Sequence, residues 1–325
     1  MFSLSGWGLE LSSNRLEVTE SKHIPEACHS TVTTLRVGII GTGNIGCDIL
    51  LKLLRAKFVS VEIFCGRRAE SPGLLMAAEK GVNCSDRGIT YFIDNPNCCD
   101  LVYDCTSAVD AKRNAIFFKA QGVIVIDLTP AKVGIMCVPC INVEEARKHG
   151  NVNMITCSGQ AMLPLLHFVS QMTSGMVYVE AVSQIASSSA GMATRLNIDD
   201  YMTTTEAAIE HFTGVNNCKV ILNLNPAKPE VDMQTTVYVK YGRINFNLAE
   251  LTDGMHAKVR ELLQYIPGYS LVLEPMIKGT SILIFSVRVR GCGDFLPEFA
   301  GNLDVINCAA IEVTKRIVDL DPRWK

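Results

Sequence analysis

A glycine-rich turn, a cysteine at the start of an expected helix and a loop of small residues are the parts of this sequence able to do chemistry. Gly41-Thr42-Gly43-Asn44-Ile45-Gly46 follows a short apolar run at 37–40 and opens an amphipathic stretch at 45–54. A strand-to-helix turn of this kind can grip a dinucleotide. Gly41 makes the tight turn, Gly43 lets the backbone approach a pyrophosphate, and Gly46 lets the helix pack closely on the strand, while the free amides of the helix start face the anion. A glycine-rich turn without a ligand is the plainer reading, and the strand-to-helix setting weighs against it.

Cys157 stands apart from the other cysteines because it follows an apolar run at 152–155 and precedes Ser158-Gly159-Gln160, where a helix can begin. The positive end of a helix favours the thiolate, and the adjacent amides are candidate donors to an oxyanion. On spacing alone a buried structural thiol is the commoner case. The loop Ser187-Ser188-Ser189-Ala190-Gly191-Met192-Ala193-Thr194-Arg195-Leu196-Asn197 lies between a strand and a helix. Its backbone either borders a ligand or forms a long turn in which Asn197 or Asp199 caps the helix; both readings stay open. His167 lies about 15 Å along the same helix as Cys157, too far to be its base. Cys137-Val-Pro-Cys140 reads as two packed thiols, and no metal is expected.

The carboxylate that usually holds a ribose 2'-hydroxyl at the end of the second strand has no clear counterpart. Glu62 comes too early, and the strand runs instead through Gly66 into Arg67 and Arg68. Guanidinium groups there either accommodate a 2'-phosphate, allowing NADP as well as NAD, or are solvated loop charges.

The elements that position these residues are written in the hydrophobic pattern. Runs at 37–40, 59–64, 101–104 and 123–127 alternate with amphipathic stretches at 45–54, 74–80 and 108–120, the signature of an α/β Rossmann-type doubly wound parallel sheet. Longer alternating strands follow at 177–186, 219–224, 236–240 and 282–290, with helices at 198–212 and 248–265, implying a second α+β substrate or dimerisation domain. We expect an N-terminal extension at 1–34 with a short strand at its start, a dinucleotide-binding domain at 35–157, a second domain at 158–295, and a C-terminal helix within 296–325 returning to the first. The 325 residues, 48% hydrophobic and 19% charged with net charge −3, describe a globular enzyme with no bias towards nucleic acid or anionic lipid. No apolar run approaches the ~18–20 residues of a membrane span. The 13 scattered cysteines suit a reducing cytoplasmic compartment, and Glu10, Glu17, Glu20 and Glu26 argue against a transit peptide.

At these motifs the chain resembles the acylating, coenzyme A-dependent acetaldehyde dehydrogenases that act beside a 4-hydroxy-2-oxoacid aldolase in aromatic-compound catabolism. The resemblance spans roughly 36–318 and rests on the Gly41 to Gly46 turn, Asp104-Cys-Thr-Ser-Ala108, Asp127-Leu-Thr-Pro-Ala131, Asn151-Val-Asn-Met-Ile-Thr-Cys157-Ser-Gly-Gln-Ala161, Thr194-Arg-Leu-Asn-Ile-Asp199 and Ala300-Gly-Asn-Leu-Asp304. It implies a homodimer, an acyl thioester on Cys157, a small-molecule aldehyde as substrate, NAD or NADP as cofactor and coenzyme A as cosubstrate. It also implies cofactor contacts at Thr42 to Ile45, at the loop from Ser189 to Asn197, and at Asn302. Thr235 stands where the family carries an aspartate, with Asp232 displaced nearby. Two rival readings are an enzyme with the same nucleophile and another acyl acceptor or donor, such as a carrier-protein thioester reductase, and a non-catalytic nucleotide-binding homologue.

Overall fold

The computed structural model describes residues 34–321 and Arg323. Apart from Thr34, the expected N-terminal extension lies outside the described residues.

The first half builds a parallel sheet from β1 (Leu35–Ile40), β2 (Val59–Cys65), β3 (Cys84–Ser85), β4 (Leu101–Asp104), β5 (Ile124–Asp127), β6 (Ile135–Met136) and β7 (Asn151–Asn153). Between them run α1 (Asn44–Leu53), α2 (Pro72–Glu79), α3 (Ile89–Asp94), α4 (Ala108–Ala120) and α5 (Pro139–Ala146). The strand order is β3-β2-β1-β4-β5-β7-β6, with every pairing parallel. Helices cover both faces, so β1 is buried along its length except at Arg36, and Val and Ile dominate the central strands. The chain leaves β1 towards β2 on one side and returns to β4 on the other, which opens a crevice at the carboxyl ends of β1 and β4.

The second sheet has the order β11-β12-β10-β8-β9. Its strands are β8 (Met176–Ala186), β9 (Cys218–Asn225), β10 (Met233–Tyr241), β11 (Tyr269–Lys278) and β12 (Ile282–Val289). All pairs are antiparallel except β8 with β9. Along β10, Met233, Thr235, Val237, Val239 and Tyr241 are buried and alternate with more exposed residues. The buried face packs under α6 (Cys157–Met172), α8 (Ile198–Thr213) and α9 (Leu248–Leu262). A short helix, α7 (Met192–Leu196), precedes α8, and α10 (Gly301–Leu320) closes the chain. The fold is the expected α/β class, with a Rossmann-type sheet beside a second, mixed sheet, and residues 34–321 form one compact unit.

Several elements differ from the sequence expectation. β11 is a full strand, but its register with β12 shifts twice, between Leu271 and Leu273 and between Leu273 and Met276. Those irregularities break the two-residue period by which a strand is recognised. The helix at α5 is short and interrupted at Asn142, whose side chain accepts from the Val138 amide and donates to the Met136 carbonyl. The strand before Cys157 ends at Asn153, not at Ile155.

Helix α10 packs on α1, α5 and α6. Asn307 donates to the Asp48 carboxylate at 2.7 Å and to the Ile45 carbonyl at 3.2 Å, and Tyr103 meets Thr314 at 2.6 Å. Lys52 lies among Asp48, Asp294 and Asp304 at 3.0, 2.6 and 2.8 Å. Burial opposes its charge, yet the carboxylates outweigh burial and raise its pKa, so the ammonium stays ionised. Among the described residues no helix is long and apolar enough to cross a membrane.

Because the described core begins at Leu35, which is fully buried against it, deletion of residues 1–33 is expected to leave a single cooperative melt, with a midpoint within a few degrees of the full chain. Scanning calorimetry of both proteins checks this; loss of the cooperative transition in the truncated chain would show that the core needs the extension.

Candidate active site

Cys157 is the first residue of α6. Thr156 caps the helix, its side chain accepting from the Gly159 amide at 3.1 Å and pairing with Thr205 at 2.7 Å. A threonine in this position contributes on the order of 1 kcal/mol to the helix end. The backbone reaches the cap through Ile155, whose φ of 63° is unusual for a β-branched residue and costs on the order of 1–3 kcal/mol.

Two strand ends hold that turn. Asp127, at the end of β5, accepts on one oxygen from the amide and hydroxyl of Thr129 at 2.8 and 2.7 Å, and on the other from Asn153 at 2.9 Å. Asn153, opposite Asp127 in register, also donates to the Thr129 carbonyl at 3.0 Å and accepts from the Ile155 amide at 2.9 Å. One amide side chain therefore ties the loop after β5 to the turn before Cys157. Gln160 adds a second staple, donating to the carbonyls of Cys137 and Met154 at 2.7 and 2.9 Å.

These loops enclose a cavity of about 310 Å³. Around it stand Gly43, Asn44 and Ile45 from the glycine turn, Thr129 and Pro130 after β5, Cys157, the loop residues Ser189, Gly191, Thr194 and Asn197, and Asn302 at the start of α10. Residues distant in sequence thus converge on one crevice at the carboxyl edge of the parallel sheet. The remaining expected residues are not among those around the cavity. Gly41 has φ of 107°, and a Cβ there would lie 2.4 Å from the Cys105 carbonyl oxygen, while at Gly46 it would lie 1.9 Å from the Gly41 oxygen. Neither position tolerates a side chain. Thr42 turns away to Ser71 at 3.2 Å. Ala190 is buried, and Arg195 binds the carbonyls of Ala190 and Ser187 at 3.1 and 2.6 Å, bracing its own loop. Arg67 is exposed at the end of β2 and pairs with Asp110 at 3.3 Å.

No charged side chain and no histidine lines the cavity among the described residues; its titratable groups are Cys105, Cys157 and Tyr201. Tyr201, in the first turn of α8, was invisible to spacing arguments because 44 residues separate it from Cys157. Its hydroxyl lies 3.2 Å from the Cys157 sulfur, accepts from the Ser158 amide at 3.1 Å and meets the Ser158 hydroxyl. Two expectations are corrected here. Burial pushes the Cys157 thiol up, although hydrogen bonds with Tyr201 and Ser158 pull the other way. The amides of Ser158 and Gly159, expected to be open to an oxyanion, already donate to Tyr201 and Thr156. His167 is tied to the Phe212 carbonyl at 2.7 Å, in keeping with its exclusion as a base.

Residues 157–297 match a family model described as prokaryotic acetaldehyde dehydrogenase, dimerisation. An acetaldehyde dehydrogenase of Pectobacterium atrosepticum is 47% identical over 288 residues, covering 88% of this chain and 96% of that protein. The chain belongs to the acetaldehyde dehydrogenase family. A second family member, from Burkholderia thailandensis, is 48% identical over 283 residues, 86% of this chain and 93% of its own. Solved structures extend the likeness at the level of fold. Aspartate semialdehyde dehydrogenase II of Vibrio cholerae superposes with a TM-score of 0.64 at 13% identity, covering 89% of this chain and 99% of its own. The Candida albicans aspartate semialdehyde dehydrogenase determined with NADP has a TM-score of 0.59 at 12% identity, covering 88% and 99%.

Within this chain, Thr235 faces the buried side of β10, its hydroxyl 2.8 Å from Ser183, and is not among the residues around the cavity. Asp232 sits outside the strand, 4.0 Å from Arg288. Every described cysteine is a free thiol. The one described cluster with metal-ligand spacing, Cys292 with Asp294 and Asp304, has the Lys52 ammonium among its carboxylates.

If Asn153 holds the Ile155 turn, Asn153→Ala should lower kcat by roughly 10- to 100-fold through misplacement of Cys157, with little change in cofactor affinity. Steady-state kinetics beside a fluorescence titration of NADH checks this. Equal losses in both would place the effect in the fold as a whole.

Proposed function

We propose that this chain is an acylating aldehyde dehydrogenase, converting a short aldehyde such as acetaldehyde to its acyl-coenzyme A through a thioester on Cys157. The observation that carries the proposal is the placement of Cys157, at a capped helix start inside the cavity bordered by the glycine turn, in a chain of the acetaldehyde dehydrogenase family. The sulfur adds to the aldehyde carbon, and loss of hydride from that carbon leaves the acyl group on sulfur. Leu128, Ile155, Leu303 and Ile306 give the cavity apolar walls that limit water around the thioester.

The residues present suit a nicotinamide dinucleotide. A Cβ on Gly43 would meet nothing, so space for a close ligand remains over the helix start, and the buried Asn302 side-chain oxygen has no hydrogen-bond partner. Gly43, Asn44 and Ile45 would hold the pyrophosphate, and Asn302 would meet the carboxamide end. When bound, the cofactor accepts the hydride. The match to a dimerisation region supports a homodimer. An aldolase partner and a cytoplasmic setting belong to the same proposal and rest on the motif resemblance and the reduced thiols.

Cys157→Ala is expected to abolish aldehyde turnover while leaving NADH affinity unchanged. Intact-mass analysis after acetaldehyde and NAD should show an acetyl adduct on the natural protein and none on the variant, and coenzyme A should discharge it. An adduct that persists with coenzyme A but is lost to another acceptor would replace the acceptor and keep the nucleophile. For the ribose, we expect NADP to be usable beside NAD and Arg67→Ala to weaken NADP selectively, several-fold, because a guanidinium at this strand end meets a 2'-phosphate. Equal weakening of both nucleotides would show that Arg67 does not read that phosphate.

A further inference from the structure

The cavity asks a neutral site to hold an anionic sulfur. Burial disfavours the Cys157 thiolate, and no charged or imidazole side chain around the cavity offsets that cost among the described residues. Cys105, the other thiol at the wall, is partly buried and pushed well above its ordinary range by desolvation, so it supplies no charge. What remains beside the sulfur is the helix start, the Ser158 hydroxyl and one phenol.

The hydrogen-bonding geometry gives the phenol a definite direction. The Ser158 amide can only donate, so it takes a lone pair of the Tyr201 oxygen. Once Cys157 is ionised its sulfur can only accept, so the Tyr201 hydroxyl must donate to it. The Ser158 hydroxyl is then left to donate to the Tyr201 oxygen. Two donors converge on the phenol oxygen and polarise its single O–H towards the sulfur. Around a neutral thiol the same atoms could also pair, but only through a weak S–H donor or a weakly accepting sulfur, whereas the bond to the thiolate is charge-assisted. Tyr201 is buried and its own ionisation is pushed well upward by burial, so it remains a donor across the working range.

We propose that Tyr201 is a catalytic residue whose hydroxyl, aligned by the amide and hydroxyl of Ser158, donates to the Cys157 sulfur and holds it as the thiolate nucleophile. The proposal rests on the reading of Cys157 as nucleophile and adds the group that activates it. The phenol does not take the thiol proton, which leaves through the cavity to solvent.

The test is the pH dependence of Cys157 alkylation by iodoacetamide in the full chain, followed on the Cys157 peptide by mass spectrometry, a reaction in which a carbon–sulfur bond forms and iodide leaves. In Tyr201→Phe the midpoint should move up by about one pH unit, making the reaction about tenfold slower at pH 7, and the rate should return to the natural plateau at high pH. Ser158→Ala should move the midpoint the same way by less. A Tyr201→Phe profile that overlays the natural one, or one lowered by the same factor at every pH, overturns the proposal. If Tyr201→Phe fails to melt cooperatively, Ser158→Ala decides alone, an upward midpoint supporting the proposal and an unmoved one overturning it. Turnover of Cys157→Ala is the separate control: activity retained there overturns the nucleophile reading, whereas an unmoved alkylation profile with an inactive Cys157→Ala overturns only the role of Tyr201.

Discussion

The carboxyl edge of a parallel sheet is where the backbone runs out of ladder partners, and here two buried carboxylates take over from the ladder. Asp104 and Asp127 end adjacent strands opposite one another in register. Each accepts the amide of the residue two places on, Thr106 at 3.0 Å and Thr129 at 2.8 Å, and each binds an asparagine, Asn114 at 2.8 Å and Asn153 at 2.9 Å. Burial first, and then the neighbouring Asp104 charge, push the Asp127 carboxyl above the usual carboxylate range. The fold tolerates this cost because the pair turns two strand ends into rigid loop anchors. Asn153 then passes that rigidity to the left-handed Ile155 and so to Cys157. Without it, the left-handed turn would be held only by the bonds at its neighbours, Met154 and Thr156.

The same logic positions the opposite wall. Lys52 gathers Asp48, Asp294 and Asp304 from α1, the segment before α10, and α10 itself. Asp304 lies two residues beyond Asn302, so the ion cluster that anchors Asp304 also sets the first turn of α10, from which Asn302 borders the cavity. Gly301 allows that turn to lie directly on β12, since a Cβ there would fall 1.9 Å from the Val289 oxygen. Ionised groups are thus used behind the cavity to place polar groups around it.

Much of this was legible in the sequence because it is local. The strand–turn–helix at Gly41 to Gly46 and the strands at Leu101–Asp104 and Met176–Ala186 follow from short-range period and turn chemistry. So does the helix beginning at Cys157. What escaped depends on long-range packing. Spacing sees a thiol at a helix start and expects easier ionisation, but desolvation of Cys157 is set by walls drawn from the loop after β5, α8 and α10. Tyr201 reads as one more aromatic on an amphipathic helix until the fold brings its hydroxyl to the sulfur. The bonds of the Arg195 guanidinium to carbonyls of its own loop likewise have no signature in spacing.

A chamber whose lining residues carry no ionised side chain has a kinetic consequence for the acyl group it encloses. Hydrolysis of a thioester needs a water molecule relieved of a proton, and none of the described residues around this cavity is a carboxylate or imidazole able to relieve it. An incoming acceptor must therefore bring its own readiness to ionise. A thiol, with a pKa near ~8.5 against ~15.7 for water, is a few per cent anionic at pH 7, while hydroxide is present only at roughly 10⁻⁷ M. The selectivity between acyl transfer and wasteful hydrolysis then needs no residue that recognises the acceptor's sulfur; it follows from what the chamber leaves out.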